Sequence, residues 1–172
     1  MAKTYLIQAS LLLIIALIVL NQPKSTDAKL NKTELIKQFL DGHNAARQQV
    51  GVPPLKWLDL LAKYSRIYST KERRKDCQLI HSPSTVFGEN LFWGQGKNWY
   101  PKNAVAAWVA EKQWYNYQNN SCVRDEECGH YTQVVWRDTK LVGCAMIKCD
   151  TGDIFITCEY YPPGNYDGEK PY

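Results

Sequence analysis

The clearest helical pattern in the chain lies near its beginning. Apolar residues recur there at the spacing of one helix face: Leu35, Phe39, Leu40, Ala46 and Val50. Asn31 can cap this helix, because Glu34 stands three residues on as its capping-box partner. Gly51 and the prolines that follow it are typical of a helix end. We therefore predict a helix over residues 31–50.

Two further segments have helical character. One begins near Asp59 and carries its apolar side chains at Leu60, Leu61, Tyr64, Ile67 and Tyr68. Its charged end, residues 71–76, is most simply interpreted as a solvated face. The other segment runs from Lys102 to Trp114 and is rich in alanine.

Strand signals occupy the rest of the chain. Glu89–Trp93 predicts a short strand, and Leu141–Cys149 and Ile154–Tyr161 predict two longer ones. The tripeptide Asp150-Thr151-Gly152 between the longer strands fits a three-residue hairpin loop with glycine in the left-handed conformation.

This hairpin constrains the six cysteines. Centred on Thr151, it places Cys144 opposite Cys158, at a distance that a disulfide can bridge. Cys149 points to the other face. Cys122 and Cys128 can close a local loop, which leaves Cys77 for Cys149. Six cysteines allow fifteen pairings, and this register favours one of them.

The N-terminal segment has the features of an export signal. Lys3 precedes an unbroken apolar run, Leu11–Leu20, and polar residues follow it at once. The run is about half the ~20 residues that a membrane-spanning helix needs. We predict a signal peptide over residues 1–28, cleaved near Ala28, and one domain over residues 29–172. After cleavage we expect no integral membrane segment.

The amino-acid composition limits the kinds of partner that the protein is expected to bind. The formal net charge of +4 comes from interspersed acids and bases, which does not indicate nucleic-acid binding. An even number of cysteines in an exported chain indicates disulfides, and the CxxC pairs of a zinc–thiolate site are absent. Asn31 and Asn119 begin acceptor sequences for N-linked glycans.

Four residues are candidates for chemistry: His81, Glu89, Glu111 and His130. Helical spacing puts Glu111 on one face with Ala104, Ala107 and Trp108. A carboxylate among such residues is partly buried and needs partners or a shifted pKa. Spacing alone does not bring these four residues together.

Several motifs resemble those of the CAP superfamily of cysteine-rich secretory proteins and venom allergens. The main one is GHYTQVVW at Gly129–Trp136. HNAAR at His43–Arg47, GENL at Gly88–Leu91 and CEYYPPGNY at Cys158–Tyr166 narrow the resemblance to the plant pathogenesis-related protein 1 group. It covers essentially the whole mature chain, including the layout of the cysteines.

The resemblance implies an α+β fold, an α-β-α sandwich with an antiparallel sheet between helical layers and three disulfides. It implies the same pairing as the register: Cys77–Cys149, Cys122–Cys128 and Cys144–Cys158. The cavity tetrad of the family maps onto His81, Glu89, Glu111 and His130. His43 lies outside that tetrad, and a structural hydrogen-bonding role in the first helix suits it better.

The tetrad has two interpretations. His81 and His130 could hold a divalent metal such as zinc, with a glutamate as base for a hydrolase or protease. However, an HExxH helix and a Gly-x-Ser-x-Gly elbow are both missing from the sequence. We therefore expect a buried polar network that requires no cofactor, and no enzyme activity.

A lipid site is the second candidate. Trp114, Tyr115 and Tyr117 lead into the loop closed by Cys122 and Cys128, where the resemblance implies sterol binding. Flat aromatic faces suit a rigid apolar ring system. The expected function is a secreted, monomeric plant defence protein that withdraws sterol or another lipid at a pathogen surface. We expect it in the apoplast, with vacuolar routing as the alternative.

The C-terminal tail, residues 162–172, is the third candidate. It matches a pattern from which some relatives release a signalling peptide. The preceding residues in those relatives resemble Cys-Asn-Tyr-Asp, whereas this chain has Cys158-Glu159-Tyr160-Tyr161. The alternative interpretation is a Pro/Gly-rich tail that lies against the domain.

Overall fold

The computed structural model of the protein describes residues 30–172. The predicted signal peptide therefore lies outside the described residues. Four α-helices are present in this range: α1 (Lys32–Gln49), α2 (Asp59–Tyr68), α3 (Pro101–Ala110) and α4 (Gly129–Val134). Among the described helices, none combines the length and the apolarity that crossing a membrane requires.

Six strands accompany the helices: β1 (Lys56–Trp57), β2 (Gly88–Gly94), β3 (Tyr115–Asn116), β4 (Ser121–Cys122), β5 (Leu141–Lys148) and β6 (Ile154–Tyr161). The main sheet has the strand order β1-β5-β6-β2, and β3 and β4 form a separate two-stranded ladder. The three long strands are antiparallel, as predicted. The short strand β1, which the sequence did not reveal, adds one parallel pair with β5.

The two faces of the sheet are covered by different helices. On one face, Tyr160 and Ile156 of β6 belong to a core with Phe39 of α1 and Trp108 of α3. The other face carries α2, whose Ser65 hydroxyl donates to the Gly143 carbonyl of β5 at 2.9 Å. Helix α2 lies so close to strand β5 here that a Cβ on Gly143 would be 2.3 Å from a backbone nitrogen of α2. The predicted α-β-α sandwich is confirmed.

The predicted helix cap, helix end and hairpin turn are all present, at the two ends of α1 and between β5 and β6. The Asn31 side chain accepts a hydrogen bond from the backbone N–H of Glu34 at 2.8 Å. Gly51 follows the helix with a φ of +75°, and Gly152 in the β5–β6 loop has a φ of +96°.

The predicted disulfides are all present: Cys77–Cys149, Cys122–Cys128 and Cys144–Cys158. The hairpin register is the reason for the last of them, since Cys144 and Cys158 are direct partners across β5 and β6. The opposite face of the hairpin carries Cys149, which joins Cys77 in a small second core.

One helical prediction needed correction. The helix predicted to reach Trp114 is α-helical only to Ala110, and Glu111–Trp114 forms a 3₁₀ turn. This tighter turn carries the chain directly into β3. Of the three residues predicted to share a face with Glu111, Ala104 and Trp108 are buried and Ala107 is exposed.

The charged end of α2 is a solvated face, as predicted: of residues 71–76, all but Arg73 are exposed. Ser69–Arg73 forms a π-helical turn, and Arg73 is half-buried. The turn ends where the Cys77–Cys149 bridge ties the chain to the sheet, because the Arg73 carbonyl accepts the backbone N–H of Cys77 at 2.8 Å.

Candidate functional site

The four candidate residues form two histidine–glutamate pairs. Nδ1 of His81 lies 2.6 Å from Oε1 of Glu89, and Nδ1 of His130 lies 2.7 Å from Oε1 of Glu111. In each pair the carboxylate is the more buried partner: the side chain of Glu89 is 6% exposed, whereas that of His81 is 62% exposed. Each glutamate therefore holds the ring of a more accessible histidine.

Glu111 also organises the start of α4. Its Oε2 accepts the backbone N–H groups of His130 and Tyr131, both at 3.1 Å. The first N–H groups of a helix have no partners within the helix, so an incoming carboxylate satisfies them. The 3₁₀ turn after α3 thus places Glu111 as an anchor for the segment that carries His130.

Glu89 plays the corresponding part at the beginning of β2. Its Oε1 accepts the backbone N–H of Ser82 at 2.9 Å in addition to the His81 ring. The hydrogen bond that the His81 ring donates to Glu89 raises the pKa of His81. Burial would raise the pKa of Glu89, but its hydrogen bonds from His81 and Ser82 hold that pKa below its usual value.

Glu159 is a third carboxyl group at this site, and the sequence analysis did not place it here. It lies opposite Glu89 in the β2–β6 ladder and is fully buried. Within residues 30–172, the two oxygens of Glu159 and Oε2 of Glu89 are buried and have no hydrogen-bond partner outside this pair of carboxyl groups. Burial, together with the charge of Glu89, raises the pKa of Glu159 well above its usual range.

Glu159 is therefore protonated when Glu89 is ionised, and it can donate a hydrogen bond to Glu89. Strand alternation was the signal that could have found it. Alternation puts Glu159 on the opposite face from Cys158, in a strand whose other residues, apart from Thr157, are apolar or aromatic.

Glu127 is a fourth acidic group and lies near both pairs. Its carboxylate, that of Glu111 and a ring nitrogen of His130 bring three metal-ligand atoms within 4.8 Å of one another. After the larger effect of Glu89, the charge of Glu127 also contributes to the raised pKa of His81. Glu127 stands in the loop closed by Cys122 and Cys128, so its position depends on that bridge.

His43 belongs to a separate buried network behind the tetrad. Its Nδ1 faces the Phe39 carbonyl at 2.8 Å, and its Nε2 faces the Tyr160 hydroxyl at 2.8 Å. A carbonyl only accepts, so Nδ1 carries the proton and Tyr160 donates to Nε2. Burial lowers the pKa of His43 to about 4, so this ring is neutral.

The network reaches the tetrad through Asn90. Its Nδ2 donates to the Tyr160 hydroxyl at 3.1 Å and to the His130 carbonyl at 3.0 Å. The His130 ring also packs alongside Trp108, with 6.3 Å between ring centroids. His130 is therefore positioned by backbone, ring and carboxylate contacts together.

Arg47, the last residue of the HNAAR motif, has a structural role that the sequence analysis did not predict. Its guanidinium is fully buried and donates to four carbonyls, those of Pro53, Val134, Trp136 and Thr139. Burial lowers its pKa to about 10. These bonds tie α1 to the end of α4 and to the loop that follows.

The three candidate sterol residues lie together near β3 and are half-buried. Tyr115 donates to the Asn120 side chain at 2.6 Å and packs beside Tyr131, with 6.0 Å between ring centroids. Trp114 precedes them in the 3₁₀ turn, and its carbonyl accepts the backbone N–H of Val123 at 2.9 Å.

The C-terminal tail covers part of this aromatic group. The Tyr117 ring stacks on Tyr172 with 4.7 Å between centroids, and Nζ of Lys170 lies 4.5 Å from the centre of the Tyr117 ring. Pro171 is buried and its carbonyl accepts the backbone N–H of Arg137 at 2.7 Å. The tail therefore lies against the domain.

The two glycan acceptor residues are both exposed. Asn31 is the cap of α1, and its Oδ1 is engaged there. Oδ1 of Asn119 accepts a hydrogen bond from the Ser121 hydroxyl at 2.7 Å.

Comparisons with known proteins agree with the fold. Residues 40–160 match the model of the cysteine-rich secretory protein family, CAP. The pathogenesis-related protein PR-1 of Medicago truncatula is 56% identical over 136 residues, covering 78% of each chain. The pathogenesis-related protein PR-1 type of Sambucus nigra is 47% identical over 79% of this chain and 81% of its own.

Among solved structures, the venom allergen-like protein 4 of Schistosoma mansoni has a TM-score of 0.62 and 26% sequence identity. The match covers 83% of this chain and 95% of that one.

Proposed function

Because the chain belongs to the cysteine-rich secretory protein family and is of the PR-1 type, we propose that it is a defence protein that binds sterol or another lipid without catalysis. It works outside the cell, in the apoplast or after vacuolar routing, as a monomer. Three disulfides fit an extracellular protein. Removal of sterol at the surface of a pathogen that cannot make its own supplies the antimicrobial effect.

One observation carries the lipid proposal: three aromatic side chains are half-buried in residues 114–117, which lead into the loop closed by Cys122 and Cys128. The β3–β4 ladder and the Cys122–Cys128 bridge restrain this loop at its two ends. Trp114 offers a flat apolar surface, whereas the ring of Tyr117 is available to a ligand only where the C-terminal tail does not cover it. A restrained loop loses little conformational entropy when a ligand binds.

A titration with a labelled sterol tests the proposal. The wild-type protein is expected to bind saturably, and changing Trp114 and Tyr117 together to Ala is expected to weaken binding about tenfold. The matched control is Trp93→Ala, which removes an exposed indole from β2, outside the loop. Equal binding by the wild-type protein and the double variant would remove the loop assignment, and failure to bind at all would remove the lipid proposal.

The hydrogen bonds of the tetrad favour a structural role over catalysis. Glu111 already accepts two backbone N–H groups and the His130 ring, and Glu89 accepts Ser82 and His81. A general base must instead be able to accept a proton from substrate or water. We expect no hydrolysis of peptides or esters, with or without added Zn²⁺. Turnover that Glu111→Gln abolishes would establish the hydrolase alternative.

One pair of the tetrad, His130 and Glu111, fits a divalent metal such as zinc together with Glu127. A histidine whose Nδ1–H donates to a carboxylate presents Nε2 as a ligand, and both His81 and His130 have such a carboxylate. Glu127 stands beside His130 as a further oxygen ligand. Bound there, the metal would supply Lewis-acid character. Calorimetry with Zn²⁺ tests this binding, and His130→Ala is expected to weaken it.

Release of a peptide from residues 162–172 is a second candidate function. The bond to be cut follows Tyr161, whose carbonyl accepts the Lys140 N–H at 3.0 Å at the end of the sheet. Release of the peptide must also break the contacts that its own residues Pro171 and Tyr172 make with the domain. Mass spectrometry of the secreted fluid tests this function, because an eleven-residue fragment beginning at Pro162 either is present or is not.

A further inference from the structure

A groove of about 420 Å³ lies between the first turns of α1 and the first turns of α2, with Trp57 of β1 in its lining. We call it the α1–α2 groove. Neither the tetrad nor the three candidate sterol residues line it. Its volume is in the range of sites that hold small organic ligands.

The α1–α2 groove has an excess of positive charge. Lys32, Lys63 and Arg66 line it together with one acid, Asp59. Asp59 is already paired, because Nζ of Lys32 lies 3.1 Å from its Oδ1 and Nε1 of Trp57 donates to the same oxygen at 3.0 Å. Lys63 and Arg66 are exposed, and within residues 30–172 neither has an ion-pair partner. The groove therefore presents two unpaired cations.

These two cations are neighbours on one face of α2. Residues three apart on a helix have Cβ atoms about 5–6 Å apart. The guanidinium of Arg66 can bind one carboxylate through two parallel hydrogen bonds, and the ammonium of Lys63 can bind another next to it. The pair suits a ligand that carries carboxylates on successive units of a chain.

The surrounding segment adds to the attraction for anions. Between Lys63 and Lys75 the sequence has six basic residues and one acidic residue, so this segment carries a formal charge of +5 in a protein whose total is +4. A surface region with charge of one sign raises the local concentration of oppositely charged ligands and speeds their association. A ligand with several negative charges gains most from this field.

Trp57 gives the groove a flat aromatic wall. Its half-buried ring packs on Phe39 with 6.1 Å between ring centroids, and its hydrogen bond to Asp59 fixes the other edge. Leu35 and Ala62, also half-buried, add apolar surface to the groove. The C–H groups of a sugar ring carry partial positive charge, so they suit the negative face of an indole. An acidic peptide of glutamates has no such ring to stack.

We infer that the α1–α2 groove binds an acidic oligosaccharide, a chain of sugar rings that carry carboxylates. One ring stacks on Trp57, and the carboxylates of neighbouring rings accept hydrogen bonds from Arg66 and Lys63. This ligand is not a lipid, and its site shares no residue with the loop at Trp114 and Tyr117. The inference is therefore independent of the lipid function proposed above.

Calorimetric titration at low ionic strength with a tetramer of galacturonic acid tests the inference. We expect saturable one-site binding that weakens as salt is added, because the two cations are exposed. The methyl ester of the tetramer keeps the rings and removes the charges, whereas tetraglutamate with blocked ends keeps four carboxylates and removes the rings. Each is expected to bind at least about tenfold more weakly than the tetramer.

Two double variants of equal charge separate the groove from general attraction. Lys63→Gln with Arg66→Gln should weaken binding of the tetramer about tenfold or more. The matched control, Arg74→Gln with Lys75→Gln, removes one arginine and one lysine that are exposed but do not line the groove. It should weaken binding about twofold at most. Trp57→Phe keeps a ring against Phe39 but shortens the aromatic wall, and an intermediate loss is expected.

The loop variant keeps this test separate from the sterol test. Changing Trp114 and Tyr117 together to Ala should leave binding of the tetramer unchanged, whatever it does to sterol binding. Equal weakening by the two double glutamine variants would overturn the inference, because net charge alone would then explain the binding. Tetraglutamate that binds as tightly as the tetramer would assign the groove to acidic peptides instead, and absence of tetramer binding to the wild-type protein would also overturn the inference.

Discussion

Glu159 and Glu89 face each other across β6 and β2, and both carboxyl groups are buried on the side of the sheet that carries α2. Two buried carboxyl groups this close do not ionise together, because the second negative charge meets both desolvation and repulsion. Glu89 keeps the charge because His81 and Ser82 donate to it. Glu159 therefore keeps the proton, and the orientation of His81 depends on a residue that does not touch it.

This pair makes stability depend on pH in a defined direction. Unfolded, Glu159 has the ordinary pKa of 4.5; folded, burial and Glu89 raise that pKa. Above pH 4.5 the unfolded chain has released the proton while the folded protein retains it. The free energy of unfolding therefore falls with rising pH, by up to about 1.4 kcal/mol per pH unit from this one group.

Glu159→Gln should remove that dependence, because an amide can donate to Glu89 without titrating. We expect the variant to unfold at a higher urea concentration than the wild-type protein at pH 8, with a smaller difference at pH 5. Urea denaturation followed by tryptophan fluorescence measures both. A difference between the two proteins that is the same at pH 5 and pH 8 would contradict the assignment of the proton.

Replacing the fully buried Arg47 should lower the free energy of unfolding more than replacing most other buried residues. Arg47→Met leaves four buried carbonyls without their donor, and we expect a loss of at least about 3 kcal/mol in the free energy of unfolding. Arg47→Lys keeps a charge but cannot reach all four carbonyls, so it should lose less. Lys37→Met, on the exposed side of the same helix, serves as the control and should change stability little. Chemical denaturation of the three variants gives the ranking.

The disulfides should contribute unequally. Cys77–Cys149 joins residues 72 apart and Cys122–Cys128 joins residues six apart. Loop-closure entropy gives about 4 kcal/mol for the longer loop and about 2 kcal/mol for the shorter one. Replacing each pair by serines and measuring thermal unfolding should reproduce this order. The reverse order would mean that contacts in the loop outweigh the entropy of the unfolded chain.

The tail should compete with a ligand at Tyr117. Deleting residues 170–172 removes the Tyr172 ring and the Lys170 cation from the Tyr117 ring, so labelled sterol should bind more tightly to the shortened chain. Tyr172→Phe is the matched control, because it keeps the stacked ring and should bind as the wild-type protein does. Identical sterol affinity in the deletion variant and the full chain would show that the tail does not restrict the loop.

Short-range signals accounted for much of the fold. The cap at Asn31, the turn at Gly152 and the alternation of the long strands each act within a few residues, and each was confirmed. Alternation also explains why the register of one hairpin could select the disulfide pairing. The last turn of the third helix was predicted wrongly, because the path into β3 depends on packing and not on helical propensity.

For the candidate site, too, the sequence predicted some features and the tertiary structure determined the others. The sequence by itself determined which residues could carry chemistry, His81, Glu89, Glu111 and His130, because their types and motifs are visible in one dimension. Only the tertiary structure determined that these residues form two histidine–glutamate pairs. It also placed Glu127 and Glu159 next to the pairs. Contacts between residues far apart in the chain depend on how the layers pack, and burial then sets which carboxyl group keeps its proton.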